Sequence, residues 1–501
     1  MLSSRAAACG NDPAWQPTYG AYTGADTDNQ LRSYYSGWQA DIHGPFTNKL
    51  AKSFGDGPTG YMCGIGLQGS CGTQIGCDPY ASTGDPPWTY LSLISVANLD
   101  TTFNDMYTGI TNGQLRYISR ISNMSQEFFP TAKEFDPKDV LKWIQFAMAI
   151  LPLFGVGLAT LAPVLSAMSN IGRGGIDVAN NFMKAPIDPT PLNIAAMQTF
   201  AGDVSKKAQD AVVDWANTTF WGYEDHMNHT ILDYLSGGGW VDVTAIPSAT
   251  VFEDFYFRQM VASTVNSQWR KSKIFTIFQK TDDPDASKCP DETIYYNVED
   301  GGVYCTYLYK ETGTLRGHLD RPYGLDVLMN ASYGINGTAI TKSTARAWRV
   351  SGFNFTTDDA WQQLSDSLAS DSPTSPFLEG PAWTGTFTLP VCDVGTENWT
   401  TAYGDTSSGR FGKMPCCCGP DCKDTAAFVK AANMQGFQTL LRACKAQYAD
   451  YESVDYGFEW KTSIPLKWAM WGIPKRIGFV LSTAASFGLA VPVWLYKGPD
   501  S

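Results

Sequence analysis

The sequence predicts an α+β protein with a helix-rich N-terminal half and a β-rich, disulfide-braced second half. From Leu91 to Phe129, apolar residues recur every three or four positions, which is the spacing of a buried helix face. From Ile274 onwards the pattern changes to short runs of β-branched and aromatic residues, which favour strands. The 12 cysteines, an even number, favour disulfide bonds.

The first 88 residues are rich in Gly, Pro, Tyr and Asp, and they contain four cysteines. This composition predicts a loop-rich cap stapled by disulfides. Within it, residues 64–69 match the dinucleotide pattern G-x-G-x-x-G, but that motif requires a preceding strand and a following helix. Because the segment lies between Cys63 and Cys71, we interpret it as a Gly-rich disulfide loop and predict no cofactor.

Three further helix signals follow the 91–129 pattern. Residues 136–139 (DPKD) combine a capping Asp with a Pro at the first helical position. Residues 193–223 carry apolar side chains on one helix face. The sequence Thr250-Val-Phe-Glu253 matches a capping box, which predicts a helix that runs from there to about residue 270.

The strand region begins with residues 274–278 (IFTIF). Two strand-like runs, 293–298 and 303–310, then flank the turn sequence Glu-Asp-Gly-Gly, which predicts a β-hairpin. Cys289 and Cys305 bracket this hairpin and form the pair that we predict to be bonded.

Together these patterns predict five regions along the chain. They are a disulfide-stapled cap (1–88), a helical region (89–272), a β-rich region interrupted by a helix near 358–368 (273–415), a Cys cluster with a helix (416–460), and an apolar C-terminal segment (461–501).

Two uncharged apolar runs, 143–172 and 477–496, are the most specific feature of the chain. Each is long enough to cross a bilayer core, which takes about 20 apolar residues. Pro152 and Pro163 break the first run and favour a helical hairpin that is either buried or membrane-competent. Small residues every four positions in the second run allow close helix contact in lipid, and Trp suits the membrane interface. We predict membrane contact at Trp143, Phe154, Gly155, Leu158, Gly478, Ser482, Ser486, Ala490 and Trp494. Burial in a soluble core or against another subunit is the alternative.

Cysteines and sequons both indicate an oxidising, extracellular compartment. The pattern N-x-[ST] predicts glycosylation at Asn123, Asn217, Asn228, Asn330, Asn336, Asn354 and Asn398. The predicted disulfide cysteines, besides Cys289 and Cys305, are Cys9, Cys63, Cys71, Cys77, Cys392, Cys416, Cys417, Cys418, Cys422 and Cys444. The sequence has no recognisable apolar signal segment at its start, so we expect the numbering to begin after a removed signal.

The sequence gives little support for nucleic-acid binding, for the common hydrolase and P-loop chemistries or for a metal site. The net charge of −13 and the lack of a Lys/Arg cluster argue against nucleic acid as a partner. The motifs of serine hydrolases, zinc proteases and P-loop enzymes are missing from the sequence. His226 and His229 have a spacing that could face a metal, but a sequon begins at Asn228 between them. We therefore predict no metal, and disulfides rather than zinc for the cluster 416–422.

Three features of the sequence resemble a known group of proteins. They are the passage Val261–Phe278 (VASTVNSQWRKSKIFTIF), the proline-broken apolar stretch before it and the scattered cysteines. The chain resembles large secreted, cysteine-containing proteins of filamentous ascomycete fungi whose domain has no assigned function. The resemblance implies secretion and a fungal source, and it supplies no catalytic residue.

These observations predict a secreted or cell-surface glycoprotein that interacts with membranes as a toxin or effector, including by pore formation. The predicted partners are membrane lipid or a further copy of the chain. One alternative is an extracellular structural protein that assembles through its apolar segments. The second is a secreted hydrolase without a recognisable motif, whose small-molecule substrate the sequence does not indicate.

Overall fold

The computed structural model describes much of the chain up to residue 432. The described residues are 9–39, 44–55, 60–67, 71, 76–129, 194–224, 229–242, 247–281, 294–298, 302–312, 318–329, 333–368, 379–395, 418–419 and 424–432. Both apolar runs, and with them all nine predicted membrane-contact residues, lie outside these ranges. The predicted helix start at 136–139 and the predicted helix after the Cys cluster, apart from its first residues, also lie outside them.

Helices and one mixed sheet make up the described structure, which confirms the α+β class at that level. The helices are α1 (Tyr19–Gly24), α2 (Thr27–Gln39), α3 (Phe46–Ser53), α4 (Asp78–Thr83), α5 (Pro87–Phe128), α6 (Ile194–Trp221), α7 (Ile231–Leu235), α8 (Ala249–Lys271), α9 (Leu325–Met329), α10 (Gly337–Ser351), α11 (Thr357–Leu368) and α12 (Thr425–Ala431). The strands are β1 (Ile274–Thr281), β2 (Ile294–Val298), β3 (Gly302–Thr312), β4 (His318–Asp320) and β5 (Val391–Gly395).

The sheet has the strand order β2-β3-β1-β5, and β4 pairs with the end of β3. β1 pairs with β3 in antiparallel and with β5 in parallel orientation. β2 and β3 form the hairpin that the Glu-Asp-Gly-Gly turn predicts, with Val298 opposite Gly302. β1 is buried from Ile274 to Phe278, in keeping with a sequence that is apolar except for Thr276.

The chain divides into two compact units, each built from separate segments. Unit 1 comprises Met1–Ser122, Glu134–Val261 and Ala360–Gly380, and unit 2 comprises Asn123–Lys133, Ala262–Asp359 and Pro381–Ser501.

The core of unit 1 is formed by α5, α6 and the first part of α8. The rings of Phe103 and Trp215 meet edge to face with centroids 4.5 Å apart. Gly109 lets α8 approach α5 closely, because a Cβ atom there would lie only 2.4 Å from the Cβ of Phe252. Arg116 adds an ion pair to Asp254 and lies over the ring of Phe257.

In unit 2, Phe128 at the end of α5 belongs to a group of packed aromatic rings. Its ring lies 5.4 Å from that of Tyr333 and 6.4 Å from that of Trp269, measured between centroids. All three side chains are buried. The C-terminal part of α8 is buried on every side from Ala262 to Trp269, which explains why its sequence shows no clear apolar stripe.

Disulfides join Cys9 to Cys77, Cys63 to Cys71 and Cys392 to Cys418. Cys305 is also disulfide-bonded, and its predicted partner Cys289 lies outside the described residues. The other cysteines outside them are Cys416, Cys417, Cys422 and Cys444.

Three expectations need correction. Four short helices lie within the first 88 residues, where the composition predicts mostly loops. Helix α8 begins at Ala249, and the carbonyl of Ser248 accepts the Phe252 N–H, so Thr250 lies inside the helix and does not cap it. The region 273–415 holds α9 and α10 in addition to the predicted helix, which is α11.

Among the described helices, none combines the length and apolar character needed to cross a membrane.

Candidate functional site

The C-terminal end of α6 presents an exposed aromatic surface in the described part of unit 1. Gly222 follows the helix in the left-handed conformation, with φ at 83°. Its N–H donates to the Thr219 carbonyl at 3.0 Å, and the Tyr223 N–H donates to the Thr218 carbonyl at 3.1 Å. This pair of hydrogen bonds is the Schellman motif, which ends the helix and fixes the direction of the chain after it.

Neighbouring helices hold this turn in place. The Tyr35 hydroxyl of α2 donates to the Gly222 carbonyl at 2.5 Å. The Thr47 hydroxyl of α3 donates to the Phe220 carbonyl at 3.1 Å. A Cβ atom on Gly222 would lie 2.6 Å from the Cβ of Phe46, so glycine is required here for packing as well as for φ.

Trp221 and Tyr223 flank this glycine and form what we call the aromatic pair. Their rings are nearly parallel, at 13°, with centroids 5.9 Å apart. Trp221 is 42% exposed and Tyr223 is 45% exposed, while the buried Trp38 lies against Tyr223 at 6.4 Å. Each ring has an apolar face and one polar atom, a combination that suits a membrane interface.

The disulfide loop Cys63–Cys71 lies close to the same helix. A Cβ atom on Gly64 would lie 3.6 Å from the side-chain oxygen of Asn217, one turn before Trp221. Leu67 on this loop is 38% exposed, and Met62, which directly precedes the loop, is 51% exposed. The loop therefore adds apolar side chains to the exposed surface of unit 1.

A buried carboxylate on α5 anchors that loop. Asp100 is 1% exposed, and one of its oxygens accepts the Gly64 N–H at 2.6 Å. The side-chain oxygen of Asn104 accepts the Gly66 N–H at 2.8 Å. The backbone N–H groups of Gly64 and Gly66, which would contact the phosphates of a bound dinucleotide, thus donate hydrogen bonds to side chains of α5. Burial raises the pKa of Asp100 to about 7, an effect that the Gly64 hydrogen bond reduces.

Among the residues that the structure describes, two groups of sulfur and carboxylate atoms lie as close together as metal ligands do. They are Cys63–Cys71 with Asp100, and Cys9–Cys77 with Asp78. All four sulfur atoms are in disulfides, and only a thiolate is an effective metal ligand. These groups are therefore structural in the oxidised protein.

The structure places four of the predicted glycosylation sites, and all four asparagines are exposed: Asn123, Asn217, Asn336 and Asn354. Asn336 caps α10 by accepting the Ala339 N–H at 2.8 Å through its oxygen. Its amide nitrogen, to which a glycan attaches, does not make this bond. Asn228, Asn330 and Asn398 lie outside the described residues, as does His226. His229 precedes α7 rather than lying on a helix face.

The sequence analysis predicts neither the buried carboxylate of Asp100 nor the exposed aromatic pair as part of a functional site. The signal for the pair is the sequence Trp-Gly-Tyr at the end of an amphipathic helix, where the glycine indicates a C-cap. No sequence signal shows that the two rings are left uncovered, because coverage depends on residues distant along the chain.

Comparisons with known proteins give no relative. No protein-family model, curated protein or solved structure gives a significant match to the chain. The resemblance to secreted ascomycete proteins therefore stays a prediction.

Proposed function

We propose that this protein is a secreted or cell-surface glycoprotein that contacts membranes, as a toxin or effector does. The observation that carries the proposal is the aromatic pair, Trp221 and Tyr223, exposed at the end of α6. Trp and Tyr are enriched where proteins meet the headgroup region of a bilayer.

The disulfides and sequons support an extracellular setting. Disulfides persist in oxidising compartments and are rare in the cytosol. The four described sequon asparagines are exposed, as attachment of a glycan requires.

The apolar runs supply the deeper membrane contact in this proposal. Residues 143–172 insert as a membrane-competent helical hairpin, and residues 477–496 serve as its anchor or partner. Insertion is driven by burial of apolar surface, at roughly 25 cal/mol per Å². The helix-rich N-terminal half and a disulfide-braced, β-rich second half remain folded and hold these segments.

Liposome co-sedimentation of the full chain tests the role of the aromatic pair. We expect the double variant Trp221→Ala/Tyr223→Ala to bind neutral vesicles about tenfold more weakly, since partial burial of two large rings contributes on the order of 1–2 kcal/mol. Tyr19→Ala is the matched control, because Tyr19 is also 45% exposed but lies at the start of α1. This control should bind as the wild type does.

Equal binding by all three proteins would exclude the aromatic pair as a lipid contact. If the wild type does not bind vesicles and light scattering shows a defined oligomer, the assembly alternative replaces the membrane proposal.

A further inference from the structure

The Cys63–Cys71 disulfide lies beside the buried carboxyl group of Asp100. An oxygen of Asp100 and the two sulfur atoms all lie within 4.8 Å of one another. No basic side chain in the described part of the chain forms an ion pair with Asp100. A buried carboxylate without a cation is unfavourable, so the neutral acid is favoured and a proton is held next to the two sulfur atoms.

The two cysteines differ in exposure, which gives each sulfur atom a different role. Cys63 is partly exposed, whereas Cys71 is buried. An incoming thiolate therefore attacks Cys63, and Cys71 is the sulfur that leaves, inside the protein. The hydroxyl of the buried Tyr61 lies 3.8 Å from the Cys71 sulfur, where it can donate a hydrogen bond to a thiolate.

Hydrogen bonds to α5 hold the loop independently of the disulfide. The N–H groups of Gly64 and Gly66 donate to the side chains of Asp100 and Asn104 at 2.6 and 2.8 Å. The Asn104 amide donates in turn to the second oxygen of Asp100 at 3.3 Å. Cys63 is therefore kept near α5 after the sulfur–sulfur bond opens, so the two thiols stay close enough to form it again.

We propose that Cys63–Cys71 is a redox-active disulfide that exchanges with small thiols, and that Asp100 donates the proton that this exchange requires. A thiolate formed at the enclosed Cys71 is unfavourable without such a proton, because its charge is removed from water. The proton on Asp100 neutralises that charge where it forms. The site is independent of the membrane contact proposed above, which uses other residues.

The exchange has two steps. The thiolate of the small molecule bonds to the Cys63 sulfur, the Cys63–Cys71 bond breaks, and its electron pair goes to the Cys71 sulfur. Cys71 takes the proton from Asp100, directly or through one water, and leaves Asp100 ionised. A second small thiolate then bonds to the sulfur of the first and releases Cys63 as a thiolate, which takes a proton from solvent. Two small thiols are thus oxidised to one disulfide, and the protein disulfide is reduced to two thiols.

Reduction of the full chain by excess dithiothreitol tests the proposal, because the second thiol of this reagent resolves the mixed disulfide and leaves the first attack rate-limiting. Alkylation with N-ethylmaleimide and peptide mass spectrometry follow the two disulfides separately. Cys9–Cys77 is the internal control: it also joins a buried cysteine to a partly exposed one, but its neighbouring carboxyl group, Asp78, is exposed. At pH 6 we expect Cys63–Cys71 to be reduced about tenfold faster than Cys9–Cys77, or more.

The pH profile identifies the role of Asp100. Burial raises the pKa of Asp100 to about 7, so the rate constant per dithiothreitol thiolate should fall about tenfold from pH 6 to pH 8 as the proton is lost. The nearby titratable side chains are Tyr61 and, next to it, Tyr80. Burial raises the pKa of Tyr61 well above its usual value and that of Tyr80 to about 12, so neither changes charge in this range.

Asp100→Asn should be reduced about tenfold more slowly than the wild type at pH 6, with a rate constant per thiolate that does not depend on pH. Asp78→Asn is the matched control variant and should keep the wild-type profile of Cys63–Cys71. A wild-type pH profile in folded Asp100→Asn would overturn the proposal. So would reduction of Cys63–Cys71 no faster than that of Cys9–Cys77 at pH 6, a comparison that needs only the wild type.

Discussion

At the scale of single residues, Asp100 combines an ionisable group with nearly complete burial. Its carboxylate accepts the Gly64 N–H, and the sulfur atoms of Cys63 and Cys71 lie within 4.8 Å of it. The buried Tyr61 has its hydroxyl 3.8 Å from the Cys71 sulfur. Burial also raises the pKa of Tyr61 well above its usual value, so this phenol stays neutral. Of these two groups, Asp100 alone changes charge near neutral pH.

The raised pKa predicts how stability depends on pH. Between the usual Asp value of 3.8 and about 7, the folded state holds more protons than the unfolded state, so its stability falls as pH rises. We expect the free energy of unfolding of the wild type, relative to Asp100→Asn, to fall by about 2–3 kcal/mol from pH 5 to pH 8. Urea unfolding of both proteins at the two pH values measures this. If the difference in unfolding free energy between the two proteins is the same at pH 5 and pH 8, Asp100 is not held in a desolvated site.

Burial of Asp100 could not be read from the sequence. An aspartate in a predicted helix is usually solvent-exposed, and here the Gly-rich loop that covers it lies more than 30 positions earlier in the chain. In contrast, the position of the Gly-rich segment between Cys63 and Cys71 predicts a disulfide loop, and the structure joins these two cysteines to each other.

At the scale of helices and strands, the packing of α5 against α8 depends on glycine. Gly109 and Gly113 face the first turns of α8, and a Cβ atom on Gly113 would lie 3.0 Å from the Glu253 carbonyl oxygen. The two helix backbones are therefore closer than alanine would allow at Gly109.

We expect Gly109→Ala to lower the free energy of unfolding by about 1–3 kcal/mol, because the added methyl group overpacks this crossing. Gly202→Ala on α6 is the matched control. A Cβ atom there meets only the Gln114 amide at 3.5 Å, an ordinary contact, so this change should be neutral or stabilising by about 0.5–1 kcal/mol. Chemical denaturation distinguishes the two, and equal effects would contradict the close crossing.

Two disulfides in the N-terminal region close loops of very different length, so their contributions to stability should differ. Cys63–Cys71 closes a separation of 8 residues and Cys9–Cys77 one of 68. From loop-closure entropy, replacing both cysteines by alanine should cost about 2–3 kcal/mol for the first pair and about 4–5 kcal/mol for the second. Unfolding curves of the two double variants test the order. If the short loop contributes more, its hydrogen bonds to α5 depend on the disulfide.

Long helices were predictable because their apolar periodicity persists for many turns, as in α5 and α6. Helix α10 was not predicted, since its buried face includes small polar residues such as Thr341, Ser343 and Thr344 in addition to Ile340. These side chains are buried without producing a strong apolar pattern. The β2–β3 hairpin was predictable because its turn sequence is local.

At the scale of the whole molecule, the strongly negative net charge of −13 bears on the choice of membrane. An anionic bilayer repels such a protein at low salt, and this repulsion is screened within about 10 Å at 0.1 M salt. We therefore expect weaker binding to phosphatidylserine vesicles than to phosphatidylcholine vesicles at 10 mM salt, with the difference shrinking at 0.5 M. Co-sedimentation at both salt concentrations measures it, and a preference for anionic vesicles would show that a local positive patch dominates.

We propose that this protein contacts lipid through the exposed aromatic pair and the two apolar runs. Phosphatidylcholine liposomes filled with dye and mixed with the intact chain from pH 4 to pH 8 provide the decisive experiment. We expect dye release at some pH in this range, reduced in Trp221→Ala/Tyr223→Ala and unchanged in Tyr19→Ala. If intact, folded protein neither binds the vesicles nor releases dye at any of these pH values, the membrane proposal is wrong.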